Sequence, residues 1–468
     1  MSVRGKTYLY LILAGILSLV LFLRFMPKKE AEPGVDENGV LTLKLWYTDE
    51  ALTDYINSAA LHYYDDTGVR VEPVLQTGLE YLDAIGTASY EGTDAPDLYI
   101  IGTEQIERAA LAGLAAPVTD PEEVLTVNNY PERALLAVEY RGERVAYPLY
   151  YETAFLLYNA TYLEQIAETS LRTEIAIAQL PETPEGDDLM DVVPVEGIPE
   201  GYTEESFHAA VLERAGEMIP ESIEDILNMA ANCSAPEGME SFFLWDVSDI
   251  FYNYFFTGAY MDLGGEAGDD KTKIEICNDD TVRCMQVYQE LNQFFSIESK
   301  ESSYEQVLQD FLDGKTLFTI ATTDALRDLR ERTTAGEFNY NYGVAMLPGV
   351  DAEHTARGLS TTECVAVNGF GAHPAEANLL AEYIAYEEAG TLYDRTGKPA
   401  CVGSALEVSS DATSVVRELY RQSAGLPKMM ELGNFWVELE LAYTQVWNGE
   451  DPESVLSALE DQMNSQIN

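Results

Sequence analysis

Between Val40 and Val118 the sequence switches repeatedly between two hydrophobic periods, and this alternation limits the fold more than any other feature. "LTLKLWY" (41–47) places apolar residues at every second position, the spacing of a strand with one buried face. The following stretch puts Leu52, Tyr55, Ile56, Ala59, Ala60 and Tyr63 on one face of a helix, with Gly68 as its stop. "VRVEPVL" then reads as a strand, "YLDAIGTASYEG" as a helix, and "DAPDLYIIG" as a turn feeding a buried strand. A helix from Glu104 follows and ends near Gly113. This alternation predicts an α/β fold with a mainly parallel sheet covered on both faces. Ligands of open parallel sheets bind beyond the carboxyl ends of the strands. Asp49 and Glu50 follow the first strand and Glu104 the third, so they are expected at one edge.

The run "AYPLYYETAFLLYN" (146–159) raises a different question. Its aromatic and apolar residues read as a buried strand, yet Glu152 stands in the middle with Tyr150 and Tyr151 before it. A charge inside such a run is costly unless it is paired or meets something from outside. At 468 residues the chain also exceeds one ordinary core, so at least two lobes are expected.

Downstream, residues 164–218 include "QLPETPEGDDLMDVVPVEGIPEGYTEESF", rich in Pro, Gly and acids, and read as a surface insertion. "PESIEDILNMAANC" resumes as a helix, and an aromatic segment (242–256) and an acidic loop come next. Helices are expected near 281–295 and 304–312, strands at "TLFTIAT", "YNYGVAMLP" and "TECVAVN", and then a largely helical tail.

Charge narrows the partners. There are 81 acidic against 27 basic residues, and five of the basic ones lie within the first 29 positions, where no acid occurs. A surface this negative repels phosphate backbones, which excludes nucleic acid as a partner. The apolar run 7–26 is close to the ~20 residues that span a bilayer, and it lacks a small-residue cleavage signal. It reads as an uncleaved N-terminal transmembrane signal-anchor, with 28–39 as a polar tether and the rest of the chain on the extracytoplasmic face. The five cysteines make no C-x-x-C, and isolated buried thiols are favoured over a Cys277–Cys284 bridge.

Motifs of catalysis and cofactor binding fail one by one. "DGKTLFTI" resembles the end of a phosphate loop, but Gln309 stands where that motif needs glycine. The four histidines are scattered, "DLGGEAGDD" lacks calcium-loop spacing, and no G-x-S-x-G is present. No cofactor, metal or catalytic set is expected. Trp436 and Trp245 both sit beside acids in turn-like segments, and an aromatic face beside carboxylates suits a sugar. The ligand role is preferred over core for Trp436 and evenly balanced for Trp245.

In order and spacing, "LTLKLWYTDE", "APDLYIIGTEQIERAALAGLAAPV", "RVAYPLYYETAFLLYN", "IPESIEDIL", "FLDGKTLFTI" and "YNYGVAMLPG" resemble the maltose-binding-protein-like extracellular solute-binding proteins of ABC importers. The resemblance covers the chain from about Leu41 onward. It implies two α/β lobes closing on a ligand, with lobe 1 at 40–150 plus 362–412 and lobe 2 at 151–361 plus 413–468. It places Glu152 on the cleft face of the first crossover, with Tyr150 and Tyr151 lining the floor. It also matches Asp49, Glu50, Glu104, Gln105 and Trp436 to ligand-contacting positions. Asp324 and Ile101 stand where the maltose-binding member has aromatic residues, which argues against maltodextrin itself and leaves an oligosaccharide or other polyol as the expected ligand. Together with the N-terminal anchor read above, the resemblance implies a monomer that delivers a carbohydrate to importer permease subunits. Rival readings keep the fold but bind ferric iron through Tyr150 and Tyr151, or signal to a membrane partner.

Overall fold

The fold is described from a computed structural model over residues 34–36, 39–78, 80–92, 94–180, 192–295, 297, 303–403 and 411–467. Strands β1 (Thr42–Tyr47), β2 (Arg70–Leu75) and β3 (Leu98–Gly102) are parallel, with β1 in the middle. The first connecting helix, Thr53–Thr67, buries Tyr55, Ile56, Ala59 and Tyr63, the stripe its sequence spacing requires. It stops at Gly68, whose φ of +74° lets its N–H reach the Tyr64 carbonyl. Helix Tyr81–Glu91 covers the other face, where Leu82 and Ile85 pack with Trp46, Tyr99 and Ile101.

A short hairpin, β4 (Glu139–Tyr140) and β5 (Glu143–Arg144), leads into β6 (Tyr147–Asn159), the element that joins the two lobes. The second lobe contains β7 (Ser241–Phe243), a hairpin of β8 (Asp262–Leu263) and β9 (Ile274–Glu275), β10 (Thr316–Thr322) and β11 (Tyr342–Ala345). The chain then returns through β12 (Leu359–Val367) and ends its sheet with β13 (Ala424–Gly425). The order is β2-β1-β3-β12-β6-β10-β7, with β11 also on β6 and β13 on β12. The sheet is mixed, because β12 runs antiparallel to both β3 and β6, and β6 antiparallel to β10 and β11.

The crossover is visible in the register of β6. From Tyr147 to Thr153 its partner is β12; from Ala154 to Asn159 its partners are β10 and β11. The strand leaves one lobe and enters the other between Thr153 and Ala154, one residue after Glu152. C-terminal helices Phe435–Trp447 and Pro452–Ile467 pack with helix Asp279–Phe295 on the second lobe.

Two expectations need correction. The stretch 164–218 is not simply a surface insertion, because both of its described ends are core helices. Helix Ala160–Ala178 buries Ile166, Ala167 and Leu171, and helix Glu204–Glu217 packs on it through Phe207, Val211 and Ala215. Their spacing of four makes one apolar stripe, a signal that the surrounding Pro, Gly and acids masked. Arg172 lies over the Phe207 ring at 4.6 Å and Arg214 pairs with Glu174 at 2.6 Å. Residues 181–191, the most acidic part, lie outside the described residues, as does the expected membrane anchor at 7–26. Among the described residues no helix is long and apolar enough to cross a membrane.

Trp245 is core, not a ligand residue. It has no exposed surface, stacks on Phe243 at 4.3 Å, meets the edge of Trp447 and donates from Nε1 to Asn253 Oδ1 at 2.9 Å. The acids beside it in sequence are occupied locally: Asp246 accepts the Ser248 and Tyr304 N–H groups and Asp249 that of Phe251. All five cysteines are free, as their isolation in sequence suggested.

Candidate functional site

Successive side chains of a strand point to opposite faces, and this decides the fate of the three residues at 150–152. Tyr150 and Glu152 share one face. Tyr151 takes the other, where it is buried and stacked on Tyr420, ring centroids 3.9 Å apart and nearly coplanar. Tyr151 therefore does not line a cleft floor. The two phenols do not converge, which removes the pair proposed for ferric iron. Among the described residues no cluster of three or more His, Cys, Asp or Glu is arranged to hold a metal.

The charge of Glu152 is balanced by a residue remote in sequence. Lys398 Nζ lies 3.1 Å from Glu152 Oε1 and 2.9 Å from Asp49 Oδ2, and 4.7 Å from the centre of the Tyr150 ring. The Tyr150 hydroxyl donates to the same Asp49 oxygen at 3.2 Å. Burial alone would lower the lysine's pKa, but Glu152 and Asp49 outweigh it and hold the ammonium above its ordinary value. For Asp49, burial raises the carboxyl pKa, while Lys398, the Ala51 N–H and Tyr150 together bring it below normal. Burial first, then Glu363, Asp49 and Glu152, push the Tyr150 phenol far up, so it remains a donor. The floor is thus a preformed network of one cation and two carboxylates.

Glu363 extends the network. Its place on β12 is opposite Tyr150 and Gly102, and burial together with the charges on Glu104 and Glu152 pushes its carboxyl up to about 8. Glu104 and Gln105, at the mouth of β3, lead from there into a cavity of about 590 Å³. Its lining includes Glu104, Gln105, Tyr81 and an Arg108 paired with Asp83, together with Met429, Met430 and Trp436. Trp436, half-buried at the start of its helix, is held edge-on by Phe435 and Tyr254 at 5.0 and 5.9 Å. Such a cavity offers an aromatic face together with acceptors, a polar–apolar mix suited to a small polar ligand.

Of the residues selected from sequence, Glu104, Gln105 and Trp436 meet in this cavity, while Asp49, Tyr150 and Glu152 form the adjoining floor. Four lie elsewhere, Tyr151 in the core behind the strand among them. Glu50 is exposed at the start of a turn beside Asp49. Asp324, exposed ahead of helix Ala325–Ala335, accepts from Tyr304 at 3.2 Å and from Thr322, outside the cavity lining. Trp245 is in the core.

Residues 59–397 match the family of bacterial extracellular solute-binding proteins. The chain belongs to that family. Its members are binding proteins, not enzymes. Among solved structures, a cyclo/maltodextrin-binding protein complexed with maltotetraose is similar with a TM-score of 0.69 at 18% identity, covering 94% of this chain and 99% of that one. The extracellular solute-binding protein from Staphylococcus aureus in complex with maltose gives 0.68 at 17%, with 91% and 97% covered. The Thermus thermophilus maltotriose-binding protein gives 0.62 at 16%, with 91% and 100% covered. At such identity the likeness is one of fold, the two-lobe α/β architecture of maltose-binding proteins. Comparison with curated sequences gives no match.

Sequence reasoning missed Lys398 and Glu363. Lys398 sits in "TGKPA" with no pattern to mark it, since its role depends on where the chain returns to the hinge. Glu363 was detectable: a lone carboxylate in the strand "TTECVAVN" is the same kind of anomaly as Glu152.

Proposed function

We propose that this protein captures a carbohydrate, an oligosaccharide or other polyol, between its lobes and delivers it to the permease of an ABC importer. The reading includes a tether through the N-terminal apolar run, with the binding lobes on the extracytoplasmic face and the chain acting as a monomer. The observation that carries it is the meeting of Trp436 with Glu104 and Gln105 in one cavity beside the Asp49–Lys398–Glu152 floor. Sugar CH faces stack on an aromatic ring, and sugar hydroxyls donate to carboxylates and accept from an amide or ammonium. The maltose, maltotriose and maltotetraose named for similar structures fit the same class.

The test is a thermal-shift screen of oligosaccharides and polyols followed by calorimetric titration of the best ligand. A ligand at 100 times its Kd adds about 2.7 kcal/mol of stability. Trp436→Ala should weaken binding by about 1–3 kcal/mol while the unliganded melting temperature moves much less. A sharp fall of the unliganded melt with unchanged affinity would place Trp436 in ordinary packing and overturn the assignment.

A further inference from the structure

Behind β6, on the face that carries Tyr151, lies a second pocket of about 500 Å³ lined by Arg133, Arg357 and Lys273. Three cations in one pocket are notable in a chain of formal charge −54. Arg283, Arg327 and Arg395 each have a carboxylate within ion-pair distance. Among the described residues Arg133, Arg357 and Lys273 have none. Arg133 is only 7% exposed, and among the described residues its side chain makes one hydrogen bond, from Nη1 to the Glu266 carbonyl at 3.1 Å. Arg357 donates to the carbonyls of Gln422 and Ser423 at 2.9 and 3.2 Å. These are neutral acceptors, and a buried cation without a counter-charge is costly.

The pocket is also shaped around these groups. A Cβ on Gly425 would lie 2.5 Å from Arg133 Cζ and Nη2, so only glycine leaves the guanidinium its place. Two acids share the lining. Asp262 Oδ1 already accepts the Gly265 N–H at 2.8 Å, and Glu266 meets Arg133 through its carbonyl while its side chain is exposed. Burial, and then the neighbouring Arg357, hold Arg133 below its usual pKa, although Tyr420 and the Glu266 charge partly oppose them. Burial and Arg133 together lower Lys428, whose ammonium is enclosed by the Leu136 and Glu139 carbonyls, to about 8. Arg133 thus lies close enough to Arg357 and Lys428 to be repelled by them, and an added negative charge beside it would relieve that repulsion.

We propose that this pocket is an oxyanion site in which Arg133, Arg357 and Lys273 bind the group that phosphates and carboxylates share. The guanidinium nitrogens of Arg133 other than Nη1 have no acceptor among the described residues, and a planar fork suits two oxygens of one anion. Arg133 comes from helix Glu132–Ala137, and Lys273 from the β8–β9 hairpin of the second lobe, so the anion bridges the two sides behind the hinge.

Sodium phosphate and sodium malonate, each compared with sodium chloride at equal ionic strength, test this on the full chain by thermal shift and calorimetry. At millimolar concentration one of the two should raise the melting temperature above chloride, and the stronger identifies the source as phosphate or carboxylate. Arg357→Gln and Lys273→Gln should each weaken that binding about tenfold or more, the scale of one charge-assisted hydrogen bond. Lys273 is exposed, so its variant stays informative even if Arg357→Gln folds poorly. Neither anion exceeding chloride, or variants binding as tightly as wild type, would overturn the site.

Discussion

The two faces of β6 solve opposite electrostatic problems within a few residues. On the front, Lys398 is surrounded by Asp49 and Glu152, with Glu363 and Glu104 close by. On the back, Tyr151 and Tyr420 stack in the core near Arg133, whose side-chain partner among the described residues is a carbonyl. The strand's alternation separates the two environments, so neighbouring residues obey different rules. A charge on the front is tolerated because its partner is already present, and substitutions there should register in charge balance. Substitutions on the back should register in packing.

The largest expected effect is on the back. Tyr151→Ala should cost about 3–5 kcal/mol of stability, the range for truncating a buried aromatic. Chemical denaturation would measure it, and a loss near zero would mean that Tyr151 is not packed as described. Next comes the front: Lys398→Met leaves Asp49 and Glu152 facing each other unpaired. A loss of about 1.5–3 kcal/mol is expected near neutral pH, the value of hydrogen bonds to a charged group. It should shrink as the carboxylates protonate in acid, and a loss independent of pH would point to packing by the lysine stem instead.

Removing a single hydroxyl from each of two adjacent tyrosines sharpens the contrast. Tyr150→Phe deletes the bond to Asp49 and should cost about 1 kcal/mol. The Tyr151 hydroxyl has no partner among the described residues, so Tyr151→Phe should be neutral or stabilising. Equal losses in the two would contradict the facial assignment.

A further contrast concerns pH. Glu363 has a folded pKa raised to about 8 from 4.5, so the folded protein holds a proton that the unfolded chain releases. Its contribution is complete below pH 4.5 and declines as pH rises through the folded value. Asp49, shifted downward, adds stability above its ordinary pKa that is lost only on acidification, so it is constant in this window. Glu363→Gln should gain on wild type between pH 5 and 8, by about 1 °C in melting temperature for each kcal/mol involved. A gap that stays flat across that range would show that Glu363 is not held protonated.

The period-two and helical stripes of 41–113 made the first lobe legible, because a buried face leaves its mark on nearby residues. Asp49 and Glu104 were equally legible, since the ends of β1 and β3 are fixed by the same pattern, whereas Gln105 came from the resemblance. Trp436 was marked by the acids around its turn-like segment and again by the resemblance, and it lines the cavity. Phe207, Val211 and Ala215 carried a readable stripe too, but the composition around them hid it.

What the sequence determined by itself was the set of elements and the anomaly at Glu152, since both depend on spacing along the chain. Only the tertiary structure decided what resolves that anomaly. Lys398 reaches Glu152 across 246 positions, and Trp245 and Trp436 part company because one meets Phe243 and Trp447 in the core while the other meets a cavity. Burial and Coulomb energy depend on distance in space, and local periodicity carries no record of which distant residue closes that distance.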